Sequence, residues 1–181
     1  MSSHYVIQSQ TAVIFLTVIL CVYLQIIYSG SSRDKKGILR YCYISVFYCA
    51  VEIASVIINS EVFFNAAVEI KFIMKIIRQI SLNLVYFTFM RYITGLGKDK
   101  LSIGVNTIHY LQNIMLGTFF YFELAGFFTG LNYKISDDNK IISGSLELLL
   151  TYGYVLLWEI WGAFEVYRKR NSFTRGQLLA I

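Results

Sequence analysis

The sequence predicts an all-α, polytopic transmembrane helix bundle of about five spans, with its N-terminus outside and its C-terminus in the cytoplasm. Three observations predict it. Apolar residues fall into runs of about 20 or more, the length that crosses a hydrocarbon core about 30 Å thick. Charged residues make up 15% of the 181 positions, where a soluble domain carries about 25%. Lysine and arginine gather in alternate connections, as they do when one side of a membrane is cytoplasmic. Five spans of roughly 22 residues take about 110 positions, and the short loops that remain leave no room for a soluble catalytic domain.

The first span covers residues 5–28. No Lys or Arg precedes it, and its apolar run exceeds the core of a secretory signal, so it reads as a retained helix. The loop "SGSSRDKKG" (29–37) is small, polar and basic. The second span covers 38–58, and the linker "NSEVFFNAA" (59–67) holds one acid and no base. The third covers 68–94 and ends in "GLGKDK". The fourth covers 104–130, and the linker "LNYKISDDNK" is polar and nearly neutral. The fifth covers 142–167 and closes with "RKRNSFTRG". At 176–181 "GQLLAI" resumes an apolar pattern, read as the start of a truncated sixth span and a sign that the sequence is a piece of a longer protein.

Orientation follows from the bases. Arg33, Lys35, Lys36 and Arg40 flank the first loop, Arg91, Lys98 and Lys100 the third, and Arg168, Lys169, Arg170 and Arg175 follow the fifth span. Eleven of the sixteen bases therefore lie on one side, which is the cytoplasmic one. The net charge of +5 belongs to this topology and not to a nucleic-acid surface. Cys21, Cys42 and Cys49 lie inside apolar runs without the spacing of a metal site and read as small buried residues. No metal and no cofactor are expected.

Span three opens with "EIKFIMKIIRQI" (69–80), against the charge bias. Lys71, Lys75 and Arg78 fall on one narrow helical stripe and Glu69 points away. Glu52, Glu123 and Glu147 lie at the same depth in spans two, four and five. Charged groups inside spans usually face a bundle interior or a watery cavity and pair there. Three readings stay open: these six residues form an outward-open pocket for a small anionic or amphiphilic ligand; they only pair with one another and set helix packing; or 69–79 is a separate amphipathic helix lying in the interface. Glu159, between Trp158 and Trp161, reads as one more buried acid. His109, Gln112 and Asn113 read as interhelical hydrogen-bonding groups, and the Gly126/Gly130 pair as a GxxxG surface for close helix approach and a homodimer. "GLGK" (95–98) lacks phosphate-loop spacing and reads as a turn. No Ser/His/Asp or Cys/His arrangement points to catalysis.

"CAVEIASVIINS" (49–60), "LVYFTFMRYITG" (84–95) and the terminal "YGYVLLWEIWGAFEVYRKRNSFTRGQLLAI", taken with the span spacing, resemble the multi-span N-terminal sensor region of Firmicutes-type diguanylate cyclases. The residues that carry the resemblance are Glu52, Ser55, Val56, Ile57 and Tyr167 to Arg170. It implies a sensor in the bacterial cytoplasmic membrane that controls a cytoplasmic GGDEF output domain not present in this chain. Sensor regions of membrane histidine kinases look similar. The expected function is therefore signal input without enzymatic activity, with the lipid bilayer as the constant partner. The alternatives are a small transporter or channel subunit, or a scaffold subunit of a larger membrane complex.

Overall fold

The computed structural model describes residues 3–26, 32–59, 68–95, 103–135 and 141–169. Four long helices come first: α1 (Ser3–Ile26), α2 (Ser32–Ile58), α3 (Val68–Gly95) and α4 (Ile103–Thr129). Two short strands follow, β1 (Tyr133–Ile135) and β2 (Ile141–Ser143). The described residues end with α5 (Ser145–Leu148), a π-helical turn (Leu149–Gly153) and α6 (Tyr154–Lys169). Leu149 (φ −64°, ψ −44°) and Tyr154 (φ −68°, ψ −38°) keep right-handed helical dihedrals, so α5, the π turn and α6 run on as one helix.

Among the described residues, three helices, over Tyr5–Tyr23, Lys35–Ile58 and Val68–Gly95, are long and apolar enough to cross a membrane. α4 is as long, but His109, Gln112, Asn113 and Glu123 dilute its apolar character. α6 alone, at 16 residues, falls short of the about 20 that a hydrocarbon core requires; α5 and the π turn extend it.

α3 is the hub. It packs against α2, α4 and α6, while α1 packs on α2. Its buried side chains are largely polar: Gln79, Ser81, Asn83, Thr88 and Thr94 beside Met90, Tyr92 and Ile93. The outer surface is the reverse, with Phe15, Leu16, Tyr121, Phe128 and Phe164 all more than 60% exposed. A polar interior inside an apolar coat fits a chain whose solvent is lipid. Short side chains on α3 are satisfied by the same helix: Ser81 Oγ donates to the Arg78 carbonyl at 2.9 Å, Thr88 Oγ1 to Leu84 at 2.9 Å and Thr94 Oγ1 to Met90 at 2.8 Å. Apolar packing fills two remaining places. Tyr92 and Ile93 hold Ile38 and Val166, and Phe119, Leu150 and Tyr154 hold Ile80 and Met115.

Several boundaries differ from the sequence reading. α2 begins at Ser32, so part of the basic first loop is helical. The linker after α4 is not a plain loop: β1 and β2 pair antiparallel, with Tyr133 opposite Ser143 and Ile135 opposite Ile141. The fifth helix accordingly starts at Ser145 and not at 142. A short apolar run such as Ile141–Ser143 has no period that separates strand from helix, and here pairing with β1 decides. Residues 69–79 are continuous with the rest of the third span, because α3 is unbroken from Val68 to Gly95. The predicted start of a sixth span at 176–181 lies outside the described residues, as do Lys98, Lys100, Lys140, Arg170 and Arg175.

Glycine shapes the α4–hairpin–α5 corner. Gly130 ends α4 with φ +68°, the left-handed conformation that favours glycine after a helix. Gly126 is covered by Asn132: a Cβ there would lie 2.2 Å from the Asn132 Oδ1. The GxxxG pair thus holds the hairpin, and Gly126 offers no open groove to a second helix. Gly144 donates to the Asn132 carbonyl at 2.6 Å, and a Cβ on it would meet the Leu131 carbonyl oxygen at 1.8 Å. Gly144→Ala is therefore expected to destabilise the purified protein by about 1–3 kcal/mol, the usual range for overpacking. Gly117→Ala, which meets nothing within 4 Å, should shift stability by no more than about 1 kcal/mol, and upward. Thermal unfolding of both variants in detergent, followed by circular dichroism, checks the contrast.

Candidate functional site

The C-terminal part of α2, the N-terminal half of α3, the end of α4, the hairpin and α5 meet at one end of the bundle. Lys75 is the centre of that end. Its Nζ lies 2.8 Å from Glu147 Oε1, donates to Ser143 Oγ at 3.0 Å and sits 4.3 Å from the centroid of the Tyr133 ring. Because Tyr133 and Ser143 are register partners, one rung of the hairpin offers both to a single lysine. Phe72, one turn earlier on α3, packs edge-on against Tyr133 with centroids 5.4 Å apart. Arg78 turns the other way: its Nε donates to Glu52 Oε2 on α2 at 2.5 Å. The next residue, Gln79, is buried and accepts a hydrogen bond from the Tyr133 hydroxyl. Among the described residues, Gln79 Nε2 has no partner.

Glu123 is buried beside this cluster but is held differently. Asn132 Nδ2 donates to its Oε2 at 3.2 Å and to its backbone carbonyl at 3.1 Å, while its Oε1 has no hydrogen bond among the described residues. Tyr133, in the hairpin, is a neutral donor. Burial pushes its phenol well above the ordinary range, and the Glu123 and Glu147 carboxylates push it further, while Arg78 opposes them. Ionising it there would place a third negative charge beside two acids.

Lys75, Arg78, Gln79, Tyr133, Ser143 and Glu147 line a cavity of about 220 Å³, and Thr151 and Tyr152 of the π turn close its far wall. At about 30 Å³ per water it has room for a small solute. The side chains of Lys75 and Glu147 remain 25% and 15% exposed, those of Arg78 and Glu52 47% and 11%. Both cations are thus reachable, and both are already paired.

Of the six residues expected to form a pocket, Lys75, Arg78, Glu52 and Glu147 come together as two ion pairs. Glu123 does not pair with the basic stripe, because Asn132 reaches it first from the hairpin. Lys71 lies one turn nearer the start of α3, half-buried, and does not line the cavity. Glu159 is not buried: it is exposed on α6 and accepts a hydrogen bond from the Tyr86 hydroxyl at 3.1 Å. His109 and Asn113 make the interhelical contacts expected of them, to Thr94 at 3.2 Å and Arg91 at 3.4 Å. Tyr133, Ser143 and Asn132 escape sequence reasoning because only the hairpin brings them back over α3. Gln79 had a signal, since it sits four residues after Lys75 on the same face. Glu165, which no local pattern singles out, is 2% exposed and pairs with Arg168 at 2.8 Å. No protein-family model, no curated protein and no solved structure matches this chain.

The two ion pairs should differ in strength. In a double-mutant cycle over Lys75→Met and Glu147→Gln, the coupling is expected at about 1–3 kcal/mol, the range for contacting groups in one network. Arg78→Met with Glu52→Gln should couple by no more than about 1 kcal/mol, since Arg78 is half in solvent. Unfolding of the four single and two double variants measures both. The raised Tyr133 phenol adds a pH signature: its stabilisation is present below the ordinary value of 10.0 and is lost as pH rises above it, because the unfolded phenol ionises first. Melting temperature followed from pH 8 to 11 should therefore fall less steeply above pH 10 in Tyr133→Phe than in the parent chain.

Proposed function

We propose that this chain is a membrane-embedded signal-input module, crossing the bacterial cytoplasmic membrane five times with its N-terminus outside. Its cavity at the outer end takes a small anionic solute, in competition with Glu147 for Lys75. The observation that carries this reading is the position of Lys75, held by Glu147 and Ser143 in the wall of a small cavity beneath the hairpin. A carboxylate or phosphate oxygen on Lys75 Nζ replaces Glu147 and releases the start of α5. That helix runs through the π turn into α6, whose far end carries Arg168 and Lys169 on the basic side. π turns inside helices are frequent at functional sites, and here the turn lines the cavity with Thr151 and Tyr152. A ligand shifts such a bundle only by its differential affinity for the paired and released states. The chain binds and transmits; catalysis belongs to a separate output domain, as the resemblance to cyclase sensor regions implies.

Two measurements test this. In a chain with Cys21, Cys42 and Cys49 replaced by Ala, Lys75→Cys should react with a membrane-impermeant thiol reagent added outside intact cells. Tyr167→Cys should react only after permeabilisation. Protection of Lys75→Cys in intact cells together with labelling of Tyr167→Cys would reverse the topology and remove the pocket from the outside. With a reporter enzyme fused after the basic C-terminal segment, Glu147→Gln should shift basal output in the direction that ligand does. Unchanged output, with the protein folded, would sink the transmission route.

A further inference from the structure

We infer that the groove between α3 and α6 is a second binding site, entered from the lipid side, for an apolar molecule whose head donates a hydrogen bond, a protonated amine being the best match. This rests on α6 crossing the bilayer, as the five-span reading holds.

The groove encloses about 580 Å³, within the range of about 300–1,000 Å³ typical of small-molecule sites. Tyr86 and Phe89 of α3 face Trp158, Glu159, Ala163 and Val166 of α6 across it. The residues that line it are aromatic or apolar apart from Glu159. At 3.6 residues per turn, Tyr154, Trp158, Gly162 and Glu165 form the buried stripe of α6, and Leu157, Ile160 and Phe164 the exposed one. Glu159 lies on the seam between them, at the mouth of the groove.

That placement is costly unless something completes it. Acids at membrane depth ordinarily face a bundle interior or water and find partners. Glu159 has one partner among the described residues, the Tyr86 hydroxyl, which donates to its Oε1. The second oxygen is left to whatever enters. Beside it Trp158, 1% exposed, stands in the wall of the groove. Its ring stacks on Trp161 at 6.1 Å with planes 14° apart, so the aromatic wall is held rigidly. An apolar body fills the aromatic and aliphatic wall, and a head that donates to Glu159 supplies the missing contact. An anionic head meets the carboxylate and is repelled. The site thus differs from the outer cavity in solvent, size and charge preference.

Trp158 and Trp161 are the only two tryptophans of the sequence; Trp158 lines the groove and Trp161 stacks on it, so intrinsic fluorescence reads the site. In liposomes of brominated phosphatidylcholine, emission should be quenched; an unquenched spectrum would mean that α6 is outside the bilayer and would remove the five-span reading and this inference together. In unbrominated liposomes, 11-bromoundecylamine should quench saturably, with a midpoint about tenfold or more below that of 11-bromoundecanoic acid, the factor of one charge-assisted hydrogen bond. Glu159→Gln should remove that preference, and Ala163→Phe, a surface substitution that fills the groove, should remove the saturable phase. Equal quenching by amine and acid, unchanged in Glu159→Gln, would reduce the effect to bilayer partitioning and overturn the site while leaving the five-span reading intact. Ala163→Cys that cross-links to itself in the cysteine-free chain before any amine is added would show a second copy in the groove and overturn it too.

Discussion

Lipid offers no hydrogen bonds, and α3 carries polar groups along its whole length; the rest of the bundle answers that constraint. The short side chains Ser81, Thr88 and Thr94 fold back onto carbonyls of their own helix. The long ones reach outward, and each meets a different neighbour. Arg78 finds Glu52 on α2, Lys75 finds Glu147 on α5, Tyr86 finds Glu159 on α6, and Arg91 finds Asn113 on α4. α2, α4, α5 and α6 are each registered against α3 by a polar contact, with apolar clusters filling the places between. α1 shows the converse. It carries no Asp, Glu, Lys or Arg, and it leans on α2, tied there by Gln25 to Tyr43 at 3.0 Å and by Lys35 to the Gln25 carbonyl at 2.8 Å.

The hairpin is a device for finishing this work at one end. Its backbone is clamped at both sides, by Gly130 and Gly126 against α4 and by Gly144 against Leu131. A small rigid corner then presents three side chains inward: Tyr133 to Gln79 and Lys75, Ser143 to Lys75, and Asn132 to Glu123. Lys75 thus belongs to α5 and Glu123 to the hairpin.

The continuous helix α5–α6 touches both proposed sites. Glu147 stands at its start beneath the hairpin, and Glu159 stands beyond the π turn against Tyr86. Both are pinned to the same face of the bundle through α3, eleven residues apart on that helix at Lys75 and Tyr86. A rearrangement at the polar end therefore has a covalent and a packed route to the apolar groove, and the π turn between them is the place where helical register can change. By linkage, an occupant of either site biases the other if the two states of the bundle hold them differently.

The sequence by itself determined the long helices, since apolar length is a property of consecutive residues and needs no partner. It also determined that Lys71, Lys75 and Arg78 share a stripe, because helical period follows from spacing alone, and it picked out Glu52 and Glu147 as acids at the right depth. Only the tertiary structure decided which charges meet. Lys75 and Arg78 point from one stripe to acids on opposite sides, Asn132 takes Glu123 away from both, and Glu159 comes to the surface while the unnoticed Glu165 is buried. These outcomes depend on the rotation of each helix about its axis and on a hairpin whose two strands contribute Tyr133 and Ser143 to one lysine. Both are set by packing between segments far apart in the chain, which no local pattern encodes.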